Sequence, residues 1–207
     1  MNYLAHVFLS GDELPWQLGG FLGDFIKGPL SDSLADDQGN PWQSQVLAGV
    51  RLHRQLDAYV DRMPEYLACV DLLGSQYRRL GGVAMDVFFD HLLANHWSEF
   101  CDTPLPAFSQ KFYRYCERHK QRMPESPRRF ILRAAQNDLF SGYGDRDIFI
   151  PVLERIDQRV RFETNLVQAG EVVLENYSEL ESRFLKIMPL LVEEAASLSG
   201  RLKVKAL

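Results

Sequence analysis

The chain has 207 residues, 46% hydrophobic and 25% charged, with a formal net charge of -5. That is enough chain to bury a real core in a single domain, and its acidic balance argues against general nucleic-acid binding. No apolar run approaches the ~20 residues of a membrane span. The opening segment lacks the basic start of a signal peptide, and Cys69, Cys101 and Cys116 form no CxxC pair or disulfide framework, so a cytoplasmic protein with free thiols is expected.

Asn2 and His6 lie four apart in a short apolar opening segment and face one way if it is helical. A lone histidine near a terminus is more often structural than functional. Pro15, following Asp12, predicts a helix over residues 16–27 that stops at Gly28-Pro29. Leu18, Phe21, Leu22, Phe25 and Ile26 fall on its packing side, and Asp24 shares the other with Trp16, Gly20 and Gly23. The two glycines let a backbone or ligand come close. Asp24 is therefore either a solvated carboxylate beside a packing groove or one aimed into a site. Residues 28–44, rich in Ser, Asp, Gly, Asn and Pro, predict a long loop of the kind that serves as a lid or a disordered insertion.

A helix is predicted over residues 45–63, ended by Pro64. Val46, Val50, Leu56 and Val60 make its apolar stripe, with His53 and Asp57 in the middle and Asp61 at the edge. A buried His–Asp hydrogen bond is the plain reading. Arg51 and Arg54 lie just off the stripe, within reach of an anionic ligand. A mixed helix over residues 65–80 ends in Arg78-Arg79 and a Gly81-Gly82 turn.

Residues 83–97 predict a buried helix on which Asp86 and Asp90 share a stripe with Val83, Val87, Ala94 and Trp97. Burying an unpaired carboxylate is costly, so each needs a partner or a metal. His91 follows at once; His96 projects about 120° from Asp90, which suits a capping or core role. Residues 103–133 then carry eight basic side chains against Glu117 and Glu125. Such a run is usually a solvated face, but its contrast with an acidic chain also fits docking of an anionic partner. Phe108, Phe112 and Tyr115 anchor it from the other side. Residues 141–145 read as a turn, and residues 147–167 and 170–199 as scaffold helices, with Pro189 marking a break. The expected fold is all-α, a single helical domain: residues 1–100 carry the site, 103–133 the basic segment, and 147–200 the scaffold.

The chain has no GxxxxGK[ST], GxSxG or HExxH motif. What remains is His6, Asp24, His53, Asp57, Asp86, Asp90 and His91, spread over separate helices. Imidazole and carboxylate without thiolate suit Mn²⁺, Fe²⁺ or Mg²⁺ better than structural zinc. Such a centre lowers the pKa of bound water toward ~7 and offsets phosphoryl charge, which points to phosphate-ester hydrolysis.

Asn2-x-Leu4-Ala5-His6, Leu22-Gly23-Asp24-Phe25, Leu52-His53-Arg54-x-x-Asp57 and Asp86-Val87-x-x-Asp90-His91-x-x-x-x-His96-Trp97, in that order, resemble the acyl carrier protein phosphodiesterases. The likeness extends more loosely into Tyr177-x-x-Leu180-Glu181-x-Arg183-Phe184. It implies a helical relative of the HD-domain phosphohydrolases, with Asp90 before His91 where an ordinary HD domain has His before Asp, and Arg51 where some relatives have a second His. It further implies Mn²⁺ dependence and removal of the 4′-phosphopantetheine arm from an acidic holo-acyl carrier protein, which gives the basic segment and Arg51, Arg54, Arg78 and Arg79 a partner. On this reading Asp24, His53, Asp90 and His6 bind metal, while Asp57 and Asp86 orient histidines or hold a second ion. His91 moves a proton to the leaving serine and Arg54 holds the phosphoryl oxygens. Two rivals use the same residues: a hydrolase of a nucleotide or other small phosphodiester, and a helical protein that binds acyl carrier protein without cutting it.

Overall fold

Helical periodicity decides nearly every segment. The computed structural model describes residues 1–30, 42–77, 79–160 and 164–205, and among them it contains twelve α-helices, three short 3-10 turns and no strand. None of these helices is long and apolar enough to cross a membrane.

The first helix, α1 (Tyr3–Leu9), buries Leu4, Ala5, His6, Val7 and Leu9. It packs on α2 (Leu14–Leu22), whose Pro15 sits in the first turn where its missing N–H costs nothing. The most extensive pairing in the fold is between α2 and α3 (Ser44–Val60). They meet backbone to backbone: a Cβ on Gly19 would fall 2.7 Å from Gly49 Cα. Next come α4 (Pro64–Leu72) and α5 (Gly81–Asn95). On α5, Ala84, Met85, Val87, Phe88, Phe89, Leu92 and Leu93 are all buried, which makes it the central helix that its composition predicts. A single turn, α6 (Trp97–Phe100), leads to the basic pair α7 (Leu105–Arg118) and α8 (Glu125–Gln136). Phe112 and Tyr115 anchor α7 in the core, while Phe108 is half-buried. The rest is α9 (Leu139–Gly142), α10 (Phe149–Asp157), α11 (Leu166–Glu175) and α12 (Tyr177–Lys205).

Several boundaries differ from the sequence expectation, for identifiable reasons. α2 ends at Leu22 rather than near residue 27, because Phe25 N and Ile26 N both donate to Leu22 O and close a turn. The Arg54 guanidinium then holds the carbonyls of Ile26 and Gly28 in the segment that follows. Asp24 therefore sits in a turn. Pro64 opens α4 instead of merely ending α3, and Gly74, at φ +95°, follows the end of α4 well before residue 80. Pro189 breaks nothing: α12 runs through it, held by Phe184, Ile187, Met188 and Leu191 buried on both sides. The expected 147–167 helix ends at Asp157. The central part of the 28–44 loop, expected as a lid or a disordered insertion, and Arg78 lie outside the described residues.

His96 closes α5 and leaves the site, as its direction predicts. Its Nδ1 meets Glu99 at 2.6 Å and its Nε2 meets Glu181 at 2.9 Å, tying the end of α5 to α12. Burial pulls its pKa down, but the hydrogen bonds to Glu181 and Glu99 outweigh that and raise it. A raised histidine contributes stability that is complete below the unfolded value of about 6.5 and fades as pH climbs through the folded value. His96→Gln should lower the melting temperature at pH 6, at a cost of about 1 kcal/mol or less for so exposed a pair. The deficit should shrink at pH 9, as read by thermal denaturation at both values.

Candidate active site

Two imidazoles and two carboxylates converge where α1, the turn after α2, and α3 meet. His6 and His53 stack with ring centroids 3.7 Å apart and are almost fully buried, at 1% and 3% exposure. Asp57, one turn beyond His53 on α3, spans both: Oδ1 lies 3.0 Å from His6 Nε2 and Oδ2 lies 3.1 Å from His53 Nε2. Asp24 Oδ1 stands 3.7 Å from the same His53 nitrogen. Unlike the rings, the side chains of Asp57 and Asp24 are about two-fifths open, at 39% and 40%. They face an open pocket of about 260 Å³ lined also by Gly23, Ile26, Lys27, Gly28 and Arg54.

Backbone geometry fixes the histidine. His53 Nδ1 is 2.8 Å from Gly20 O, and a carbonyl can only accept, so Nδ1 carries the proton. In the neutral ring the Nε2 lone pair then points at carboxylates, an arrangement that calls for a proton or a cation between them. Room for the ring comes from Gly23, where a Cβ would overlap the imidazole itself. His6 is less satisfied still: neither ring nitrogen makes a directed hydrogen bond among the described residues. Burial first, then the neighbouring His53, lowers its pKa, so it sits neutral with a lone pair to donate. For Asp57, burial pushes the pKa up, but the His53 and His6 imidazoles win and hold it well below the ordinary carboxylate range. Single donor atoms from His6, His53 and Asp57 all lie within 4.8 Å of one another. This N,N,O set, with Asp24 at its open side, fits a divalent cation of the Mn²⁺, Fe²⁺ or Mg²⁺ type.

The carboxylates of α5 go elsewhere. Asp90, expected as a metal ligand, is fully buried and accepts the amides of Leu4 and Ala5, each at 2.9 Å. Those are first-turn donors of α1, whose N-cap residue Asn2 offers no side-chain cap. Asp90 caps α1 from a neighbouring helix, so both its oxygens are committed. Burial nevertheless raises its pKa to about 7 against the pull of those amides. Asp86 accepts from Tyr66 Oη at 2.6 Å and pairs with the Met1 amino nitrogen at 2.8 Å, so it orients no histidine. His91, expected to move a proton, faces away from the cluster: Nδ1 donates to Tyr143 O at 2.7 Å, and Nε2 meets Tyr177 Oη and Asn95 Nδ2, each at 3.0 Å. Burial lowers its pKa, consistent with a neutral, fully bonded ring. Arg54, expected to hold phosphoryl oxygens, lines the pocket, yet two of its N–H groups hold the Ile26 and Gly28 carbonyls, so it stiffens the wall before it can grip an anion. Lys27, which the sequence reading passed over, also lines the pocket. Its signal is its place three residues after Asp24.

Comparison with known proteins places the chain among relatives of one kind. A family model described as acyl carrier protein phosphodiesterase matches residues 1–191. A protein named acyl carrier protein phosphodiesterase from Escherichia coli O6:H1 is 31% identical over 205 residues, covering 95% of this chain and 98% of its own length. Another of that name, from Pectobacterium atrosepticum, is 28% identical over 196 residues, covering 94% and 97%. No solved structure matches.

Two substitutions separate the roles assigned above. Gly23→Ala should displace the His53 ring and weaken Mn²⁺ binding at least tenfold by calorimetric titration, at a stability cost of about 1–3 kcal/mol. Asp90→Asn sets an NH₂ group against one amide of α1 and should cost about 1–3 kcal/mol, while leaving Mn²⁺ affinity within twofold. Because the pKa of Asp90 is raised, its protonated form contributes stability that is complete below about pH 4 and lost as pH rises through about 7. The gap in melting temperature between wild type and Asp90→Asn should therefore narrow from pH 5 to pH 8.

Proposed function

The chain belongs to the acyl carrier protein phosphodiesterase family, and from that premise we propose that it hydrolyses the phosphodiester joining 4′-phosphopantetheine to a serine of holo-acyl carrier protein, releasing the apo form, with Mn²⁺ held by His6, His53, Asp57 and Asp24. The observation that carries the reading is the His53 Nε2 lone pair, fixed by Gly20 O and aimed at two carboxylates beside an open pocket. When bound, the cation supplies charge to offset a phosphoryl oxygen and acidifies water toward a pKa of ~7.

The chain's own residues do the rest. Asp57 reaches both imidazoles at once and fixes their spacing. Asp24 is the less committed carboxylate, 3.7 Å from His53 Nε2 where Asp57 is at 3.1 Å, and it opens to the pocket. It is the group placed to accept a proton from a nucleophilic water. Lys27 and Arg54 add positive charge to the pocket lining, which favours the non-bridging phosphoryl oxygens. Arg54, strapped to two carbonyls, does so without having to be ordered by substrate.

Incubation with holo-carrier and Mn²⁺, read by mass spectrometry, should show the carrier losing one phosphopantetheine arm, and chelator should stop it. Asp24→Ala and His53→Ala should each lower kcat on the order of a hundredfold or more without changing helical content by circular dichroism. Full activity of both variants with added Mn²⁺ would overturn the assignment.

A further inference from the structure

The pair α7–α8 and the turn between them concentrate positive charge in an otherwise acidic chain. On α7, at about 100° per residue, Lys111, Arg114 and Arg118 form one exposed stripe, turned away from buried Phe112, Tyr113 and Cys116. Arg114 bonds Gln110, and Arg118 Nε donates to the Arg114 carbonyl. Among the described residues no carboxylate pairs with any of the three.

This charged unit abuts the site. Phe112 of α7 and Phe130 of α8 both pack on Phe21, at 6.1 and 6.0 Å. Phe130 continues to Tyr3 at 4.5 Å and to Phe25 at 6.2 Å, the residue directly after Asp24. Exposed Arg133 lies one turn beyond Phe130, and exposed Lys27 lines the pocket itself. The basic pair is therefore packed against the elements that carry Asp24, with its charged side chains exposed. At 1.5 Å per residue the α7 stripe is about 10 Å long, which suits one helix or loop of a small protein better than the longer run of phosphates that a nucleic acid presents.

We propose that the α7 stripe of Lys111, Arg114 and Arg118 docks an acidic surface of the protein substrate and holds it while the phosphodiester enters the pocket. The inference rests on the carrier-protein reading above and adds to it which face of the basic segment the carrier sits on. Opposite charges meeting at an exposed rim steer association and register, and they weaken with salt.

The test compares wild type with Lys111→Glu/Arg114→Glu/Arg118→Glu in three measurements: hydrolysis of holo-carrier, hydrolysis of bis(4-nitrophenyl) phosphate, and calorimetric binding of apo-carrier. At low ionic strength the triple variant should raise KM for holo-carrier about tenfold or more, with kcat within twofold. The gap should shrink in 0.5 M NaCl. Hydrolysis of the small diester should be unchanged, which shows that the variant is folded and its pocket intact. An unchanged KM and an unchanged apo-carrier affinity would overturn the docking surface even if the arm is released. Conversely, wild type that binds apo-carrier, loses that binding in the triple variant, yet never releases the arm would leave the docking surface standing and sink the proposed reaction. If wild type binds no carrier at low salt, the docking surface falls.

Discussion

The crossing of α2 over α3 is the constraint on which the site depends. Glycines at 19 and 49 bring the two backbones together where any Cβ would collide. One residue further, Gly20 presents its carbonyl to His53 Nδ1 at 2.8 Å while its own α-carbon backs onto α1 at the His6 carbonyl. One turn further, Gly23 leaves the space that the His53 ring fills. Three helices thus meet along a seam of small residues, and the His53 imidazole is positioned by main chain rather than by adaptable side chains. Protein interiors yield little, so groups set this way hold their spacing to fractions of an ångström.

That precision supports an otherwise unfavourable cluster. Two buried imidazoles in face-to-face contact cannot both carry charge cheaply, and burial together with the neighbouring ring lowers the pKa of His6. A neutral His6 with neither nitrogen hydrogen-bonded forfeits about 1–3 kcal/mol for each unsatisfied polar atom. Such a deficit in a well-packed core is uncommon outside functional sites. Asp57 bridges the pair, but an ionised carboxylate only accepts, so it cannot satisfy the Nε2 lone pair that the His53 tautomer turns toward it.

Much of this was legible in the sequence because it is local. His53 and Asp57 lie one turn apart in an apolar stripe, and glycines flank Asp24; both features announce polar groups facing inward where space has been left. The all-helical fold and the buried α5 follow from periodicity alone. What stayed hidden is non-local. The spacing of Asp86 and Asp90 says that they share a face and says nothing of what lies opposite. Only the fold shows that Asp90 meets the uncapped amides of α1. A clue existed in retrospect: a short buried helix starting after Asn2, with no side-chain cap, must find an acceptor for its first-turn donors somewhere. The segment after α2 is equally non-local, because Arg54, far along the chain, holds the carbonyls of Ile26 and Gly28.

His53 and His91 show how residue type and burial can agree while chemical availability differs. Each is buried, and each donates Nδ1–H to a backbone carbonyl, Gly20 O in one case and Tyr143 O in the other. The tautomer is therefore the same, and Nε2 is the free lone pair in both. Around His91 that lone pair faces a phenol and a carboxamide, both able to donate, and its demand is met inside the protein. Around His53 it faces Asp57 and Asp24, which when ionised can only accept. The same division separates the carboxylates: Asp90 is spent on amides, and Asp86 on a phenol and an amine, whereas Asp57 and Asp24 keep oxygens open to solvent. Among the described residues the first set has its hydrogen bonds met and the second turns a lone pair toward carboxylates, so the pocket beside Gly23 is where a cation would fit.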